Sequence, residues 1–317
     1  MTSPQELPRY AELPTDPVTG ARSGWGVFGA DDNVGKVNLQ TPERVAAAAR
    51  LVRTGQIFPM DIPAGFVDPP FFSRGVPRHT LIERRPTEGF DDVVDNLYPQ
   101  AGSQWDALAH ASSAPDRFYN GVAAAQIRSG QRNTMDHWAR RGIAGRGVLL
   151  DVASAVQERG GAGTSVPVTV DDLETARARV GLELGAGDIL VVRTGYLSWY
   201  AQQDKETRAR IAPRDALTAA GLEHSEQLAE YVWDSHVSAI ITDTVGMEVW
   251  PPDRSTTFGS LHRILIGQFG LAIGELFWLD DLATACDADG VHEFLVVSAP
   301  MNLAGAIGSP ANALAIK

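Results

Sequence analysis

A chain of 317 residues, 44% hydrophobic and 21% charged, can bury a sizeable core as one large α/β domain or two unequal ones. Its net charge of −12 repels phosphate backbones and anionic lipid, and no Lys/Arg cluster overrides it locally, so nucleic acid is not an expected partner. The single cysteine, Cys286, excludes an intrachain disulfide, a multi-thiolate zinc site and an iron-sulfur cluster, and fits a reducing, cytoplasmic setting.

The opening residues lack the basic and apolar regions of a secretory signal, and no apolar run approaches the ~20 residues of a membrane span. A soluble protein without a membrane partner is expected. Residues 1–35 are rich in Pro, Gly and Asp without a sustained period and read as an N-terminal arm, docked through Trp25 and Phe28 on the body or on a neighbouring subunit. Residues 36–317 then form the main domain. The segment Thr41-Pro-Glu-Arg-Val-Ala-Ala-Ala-Ala-Arg-Leu-Val-Arg53 predicts a helix: Thr41 caps it, Pro42 takes the first helical position, Glu43 puts negative charge in the first turn, and Gly55 follows the end. Residues 62–92 mix Pro, Gly, charge and the pair Phe71-Phe72, and read as a long irregular excursion of the kind that is usually functional or disordered.

From about residue 140 strands and helices alternate. Gly147-Val-Leu-Leu-Asp-Val152, Asp188-Ile-Leu-Val-Val-Arg193, Val237-Ser-Ala-Ile-Ile-Thr242 and Glu293-Phe-Leu-Val-Val-Ser298 are short aliphatic runs bounded by turn formers, as buried strands are. Residues 169–179 and 225–233 have helical spacing between them. An α/β sheet core follows. No repeat, P-loop or Gly-x-Gly-x-x-Gly is present, so nucleotide binding has no support.

The chemistry concentrates in two stretches. In Gln100-Ala-Gly-Ser-Gln-Trp-Asp-Ala-Leu-Ala-His110 a carboxylate and an imidazole stand four apart; if the segment is helical, both project from one face. Asp106 lies beside Trp105, Ala107 and Ala109, where a carboxylate needs a partner to stay ionised. In Leu261-His-Arg-Ile-Leu-Ile-Gly-Gln-Phe-Gly-Leu-Ala-Ile-Gly-Glu275, His262 heads an apolar helix and Glu275 sits among apolar residues, where a cation or a histidine is nearly required. Two carboxylates and two imidazoles suffice for a divalent cation such as zinc, manganese or magnesium, and hydrolysis would follow. The same groups without a metal could move protons for ring closure, elimination or isomerisation. Asp243 and Glu248 are placed behind the site as supports.

These stretches resemble the cyclase superfamily of metal-dependent hydrolases, which includes kynurenine formamidase and isatin hydrolase. That family's motif His-x-Gly-Thr-His-x-Asp-x-Pro-x-His lies here along Gln100, Gly102, Ser103, Gln104, Asp106, Leu108 and His110. Similarity extends through residues 142–151, 187–195 and 241–248, the His262 to Glu275 stretch and the closing residues. Both leading histidines are glutamine, Gln100 and Gln104, a weaker neutral donor set that favours harder metals or weaker binding. The resemblance implies an α/β fold around a central mixed sheet or barrel-like core with flanking helices, and a homodimer or dimer-based oligomer. It also implies a small-molecule substrate with an amide or ester bond, of lactone, lactam or formamide type. It makes Asp106, His262, Glu275 and Gln104 metal-ligand candidates and His110 the general acid/base. Trp25, Trp105, Phe71, Phe72, Trp250 and Phe258 are expected walls for a cyclic or aromatic substrate. His79 and His137 match no ligand position and are expected in surface or loop roles.

Overall fold

Nine strands form one curled mixed sheet in the computed structural model, which describes residues 7–86 and 88–317. In chain order the strands are β1 (Ile57–Pro59), β2 (Arg78–Glu83), β3 (Phe90–Asp95), β4 (Gln104–Asp106), β5 (Ile143–Asp151), β6 (Pro167–Val168), β7 (Ile189–Arg193), β8 (Gly221–Leu222), β9 (Ala239–Thr242), β10 (Ala272–Glu275), β11 (Glu293–Ser298), β12 (Gly308–Pro310) and β13 (Ala313–Ile316). The large sheet runs β1-β13-β11-β5-β7-β9-β10-β4-β12. Its centre, β5-β7-β9-β10, is parallel, and antiparallel strands complete both sides.

The parallel centre explains its own sequence. Ile189 to Val192 and Ala239 to Ile241 have no exposed surface, because crossover helices cover parallel strands and leave no face for polar alternation. Strand β11 coincides with its predicted span, while β5 begins four residues earlier than expected and β9 two later. The helices Val170–Val180 and Glu226–Asp234 occupy the predicted segments, with Thr169 and Ser225 as N-caps. Thr41 caps Pro42–Ala49 as expected, but that helix stops short of Arg53.

Two expectations need correction. The excursion over residues 62–92 is not wholly irregular: β2 and β3 form an antiparallel hairpin whose twelve strand residues are all exposed. The segment from Asp106 to His110 is not helical, since Asp106 ends β4 and a turn follows.

Of the expected arm, residues 1–6 lie outside the described residues; the remainder lies on the chain's own body. Tyr10 N donates to Asp234 Oδ1 at 2.6 Å, Trp233 Nε1 to Pro8 O at 2.8 Å, and Trp25 Nε1 to Gly267 O at 2.8 Å. Gly35 closes it: its φ is +65°, and a Cβ there would lie 2.0 Å from Gly270 O. Next to it, fully buried Lys36 stands 4.4 Å from the Trp233 ring centroid and near the last carbonyls of the helix Glu226–Asp234. Burial lowers its ammonium to about 7, against the pull of Asp234.

A lysine depressed in the folded state releases its proton there first, so the unfolded chain binds more protons between pH 7 and about 10.5. Stability therefore gains from this group as pH rises across that window, by up to about 1.4 kcal/mol per pH unit. Denaturant unfolding of wild type and Lys36→Met should differ by that slope, and parallel pH profiles would refute the assignment. Among the described residues no helix is long and apolar enough to cross a membrane.

Candidate functional site

Strand pairing brings the two chemical stretches together. Antiparallel β4 and β10 set Gln104 opposite Glu275 and Asp106 opposite Ile273, and side chains directly opposite share a face. Gln104, Asp106 and Glu275 therefore project to one side, while Trp105 projects to the other. There it is fully buried, packs on Phe277 at 5.3 Å between centroids and donates from Nε1 to Ser298 Oγ at 2.9 Å. Trp105 is thus a core residue, correcting its expected place in the substrate wall.

The helix Leu261–Leu265 presents His262 to the same face. Its Nε2 lies 3.0 Å from Glu275 Oε1 and its Nδ1 lies 2.7 Å from Glu248 Oε1. Glu248 comes from the loop after β9, held where Leu222 N of β8 donates to Met247 O at 3.0 Å. It also accepts from Leu261 N and stands 3.0 Å from His224 Nε2. Its expected supporting role is the one its contacts describe. Asp243 does something else: it accepts from Thr194 N and Oγ1 and from Gly195 N, fastening the turn after β7, and burial raises its carboxyl to about 6.

The electrostatics follow from burial and pairing. Burial opposes charge on His262, yet hydrogen bonds to Glu248 and Glu275 hold its pKa well above the ordinary value. Both ring nitrogens face carboxylates, so with protein groups alone the ring is an imidazolium. Glu248, although buried, is held down to about 2 by His224 and His262. Burial also opposes ionisation of Glu275, but His262 foremost keeps its pKa below the usual carboxylate range. Burial raises Asp106, with Glu275 pushing the same way and His110 and His262 opposing.

Asp106 is the anomaly. Its side chain is buried, yet neither carboxylate oxygen has a hydrogen-bond partner, and Gln104 Oε1 is orphaned too. The nearest cationic group, His110 Nδ1, is 3.5 Å from Oδ1, too long for an ordinary hydrogen bond. Donor atoms of Asp106, His110 and His262 all lie within 4.8 Å of one another. Ligands at ~2.1 Å from one ion are separated by about 3.0 to 3.4 Å at adjacent vertices, close to the 3.5 Å between His110 Nδ1 and Asp106 Oδ1. The residues present fit a divalent cation. Within this arrangement His110 stands among the would-be ligands, whereas Glu275 has one oxygen on His262 and the other accepting from Gln104 Nε2 at 2.7 Å. Gln104 offers only its orphaned Oε1.

The site opens into a cavity of about 340 Å³, lined by His110, Glu248, His262 and Glu275. Phe72 and Trp250, 4.9 Å apart between centroids, form its aromatic wall. The other expected walls do not line it. Phe71 is buried against Tyr196 and Tyr200, Phe258 packs on the core, and Trp25 binds Gly267 under Arg117. Four arginines absent from the sequence reading reach the cavity: Arg74, Arg214, Arg254 and Arg263. Two carried a signal: Arg74 in its position after Phe71-Phe72 in a loop of functional length, and Arg263 in its place directly after His262. Arg193 is an internal ion-pair residue, 2.9 Å from Asp151 and 2.6 Å from Asp280. His79 pairs with Asp92 on the exposed hairpin, in the surface role expected of it; His137 instead lies half-buried in the short helix Asp136–Ala139, facing Gln131 O.

Comparison with known proteins finds a family model for a cyclase, described as "Putative cyclase", over residues 53–249, more than half of the chain. A solved structure described as a novel cyclase is similar at 31% identity and TM-score 0.81, covering 93% of this chain and 99% of that one. An isatin hydrolase bound to the product analogue thioisatinate is similar at 16% identity and TM-score 0.62, covering 82% and 91%. Isatin hydrolase A from Labrenzia aggregata, bound to benzyl benzoate, is similar at 16% identity and TM-score 0.61, covering 84% and 94%. The last two likenesses are of fold. Curated proteins give no match.

Proposed function

The chain belongs to the cyclase family, and from that premise we propose that it is a divalent-metal-dependent hydrolase of an amide or ester bond in a small cyclic or aromatic substrate. The observation that carries this is the Asp106 carboxylate, buried without a hydrogen-bond partner beside two imidazoles. An ionised group so placed has no reason to persist unless something positive binds there. Fold likeness to proteins described as isatin hydrolases supports a lactam, lactone or formamide as substrate.

Asp106, His110 and His262 hold the cation in this reading, with Gln104 Oε1 as the neutral donor beside them. Two imidazoles suit zinc or manganese better than magnesium. When bound, such an ion polarises the scissile carbonyl and makes nearby water more acidic. Glu275 Oε1 accepts the proton that water loses as it adds to the carbonyl carbon, and returns it to the departing nitrogen or oxygen. The proton role expected of His110 passes to Glu275, because His110 is taken up as a ligand. Glu248 orients His262 through Nδ1 and leaves Nε2 directed at the site. Phe72 and Trp250 flank the substrate ring.

Protein reconstituted with manganese or zinc should carry about one cation per chain and open at least one member of a panel of lactones, lactams and N-formyl arylamines. Chelation should stop turnover and re-addition restore it; turnover indifferent to metal removal defeats the reading. A second reading, metal-free proton transfer for elimination or isomerisation, is favoured by the imidazolium that Glu248 and Glu275 hold between them. It predicts chelator-resistant turnover without incorporation of solvent oxygen, which mass spectrometry of product formed in heavy-oxygen water reads directly.

A further inference from the structure

We propose that the arginine wall of this cavity is a carboxylate subsite, so that the substrate carries a planar anionic group separate from the bond that is cleaved. The inference rests on the hydrolytic reading above and deepens it by naming a substrate class. It begins from a contradiction of charge: a chain of net −12 gathers Arg74, Arg214, Arg254 and Arg263 around one cavity. No ion pair joins any of the four to a carboxylate among the described residues. Arg74 donates to the backbone oxygen of Gln100, and Glu275 and Asp106 act on it at longer range.

The arrangement of Arg74 and Arg214 is specific. The Arg74 guanidinium lies 4.9 Å from the Phe72 ring centroid; that of Arg214 lies 5.4 Å from Phe72 and 5.1 Å from Trp250. Two like charges therefore share one aromatic ring at the cavity wall, an arrangement that repels itself until an anion sits between them. The backbone is committed to it. Phe72 and Ser73, neither of them glycine, have φ of +63° and +59°, and strained residues of this kind cluster at ligand clamps. The planar forks of two arginines match a carboxylate, and the Phe72–Trp250 wall matches an aromatic ring attached to it. A cavity of about 340 Å³ is of the size that admits a small ring with such a group.

Titration calorimetry with benzoate and its neutral isostere benzamide tests this. Benzoate should bind at least about tenfold more tightly, and Arg74→Gln or Arg214→Gln should each cut the preference about tenfold. Arg214→Lys should keep part of it, and Arg53→Gln, at an exposed arginine outside the cavity, should leave it unchanged. A purely packing role for the arginines would weaken both ligands equally, and that result overturns the proposal. So does tighter binding of inorganic phosphate than of benzoate. Repeating the titration in Asp106→Asn separates the two readings. A preference that survives there belongs to the arginines, and one that vanishes belongs to a cation and overturns the subsite. Should no ester or amide be hydrolysed while the arginine-dependent preference stands, the hydrolytic reading fails and the subsite remains.

Discussion

Asp106→Asn is expected to reduce affinity for manganese or zinc by about 100-fold or more and to reduce turnover with it, while the cation-free protein becomes more stable. The two effects have one cause. Asp106 is buried with both oxygens unpaired, and Glu275 on the neighbouring strand adds like charge. In the cation-free state the carboxylate is a liability that a neutral isostere removes. As a ligand it supplies the negative charge that the neutral amide of Gln104 does not. Loss even of an outer-shell partner typically costs 10 to 100-fold in affinity, so a direct ligand should cost at least the upper figure. Competition titration against a fluorescent chelator, with thermal melts in chelator, reads both quantities. Unchanged affinity would sink the metal site, whereas lost affinity with a lowered melting temperature would mean that Asp106 is structural as well.

Glu248→Ala should cost about 3–5 kcal/mol of folding stability, the usual result of breaking a buried ion pair by removing one partner. The loss is large because Glu248 serves several groups at once: it accepts from Leu261 N at the start of the helix carrying His262, binds His262 Nδ1 and faces His224. The pH dependence has a definite sign. Glu248 sits at about 2 in the folded protein, below its unfolded value, so its stabilisation is present above pH ~4.5 and fades as pH falls towards 2. His262 is shifted upward; its stabilisation is complete below pH ~6.5 and fades as pH rises through the folded value. Cation-free wild type should therefore be most stable between those limits as far as this cluster is concerned, and the variant should lose most of the acid limb. Chemical denaturation in chelator from pH 3 to 9 measures it. A loss below about 1 kcal/mol, or an unaltered acid limb, contradicts the role assigned to Glu248.

The same pairing couples protons to metal: His262 must give up a proton to become a ligand, so cation affinity should climb with pH until the folded value of His262 is passed.

The parts legible in the sequence were those whose physics is local. Thr41 was readable as a cap because its side-chain oxygen accepts from backbone three residues on, as those of Thr169 and Ser225 do at the starts of the two segments read from helical spacing. The runs at β5, β7 and β9 read as strands because two-sided burial leaves them nearly all apolar, and β11, buried only at alternate residues, read as one from its aliphatic and β-branched run. Strands β4 and β10 were missed for a reason equally physical. Gln-Trp-Asp is three residues long, too short for alternation to be seen, and Ala-Ile-Gly-Glu lies inside an apolar stretch that serves helix and strand alike. The spacing of Asp106 and His110 fitted a helix turn, but Ala107-Leu-Ala109 between them instead form a turn after a strand. The aromatic walls failed similarly. Phe71 and Phe72 are adjacent, and only the left-handed backbone at Phe72 sends one into the core and the other to the cavity.

What the amino-acid order determined was an inventory and a set of local conformations: two carboxylates and two imidazoles in two stretches, one cysteine, capped helices and apolar strands. What only tertiary structure decided was which groups face one another. The register of β4 on β10 put Gln104, Asp106 and Glu275 on one face and Trp105 on the other, a choice that a one-residue slip would invert. The loop after β9 delivered Glu248 to His262, and the loop after Pro70 brought Arg74 towards Arg214. Such contacts join residues far apart in the chain, so they depend on how the whole sheet closes and leave no periodic trace in the segments that make them.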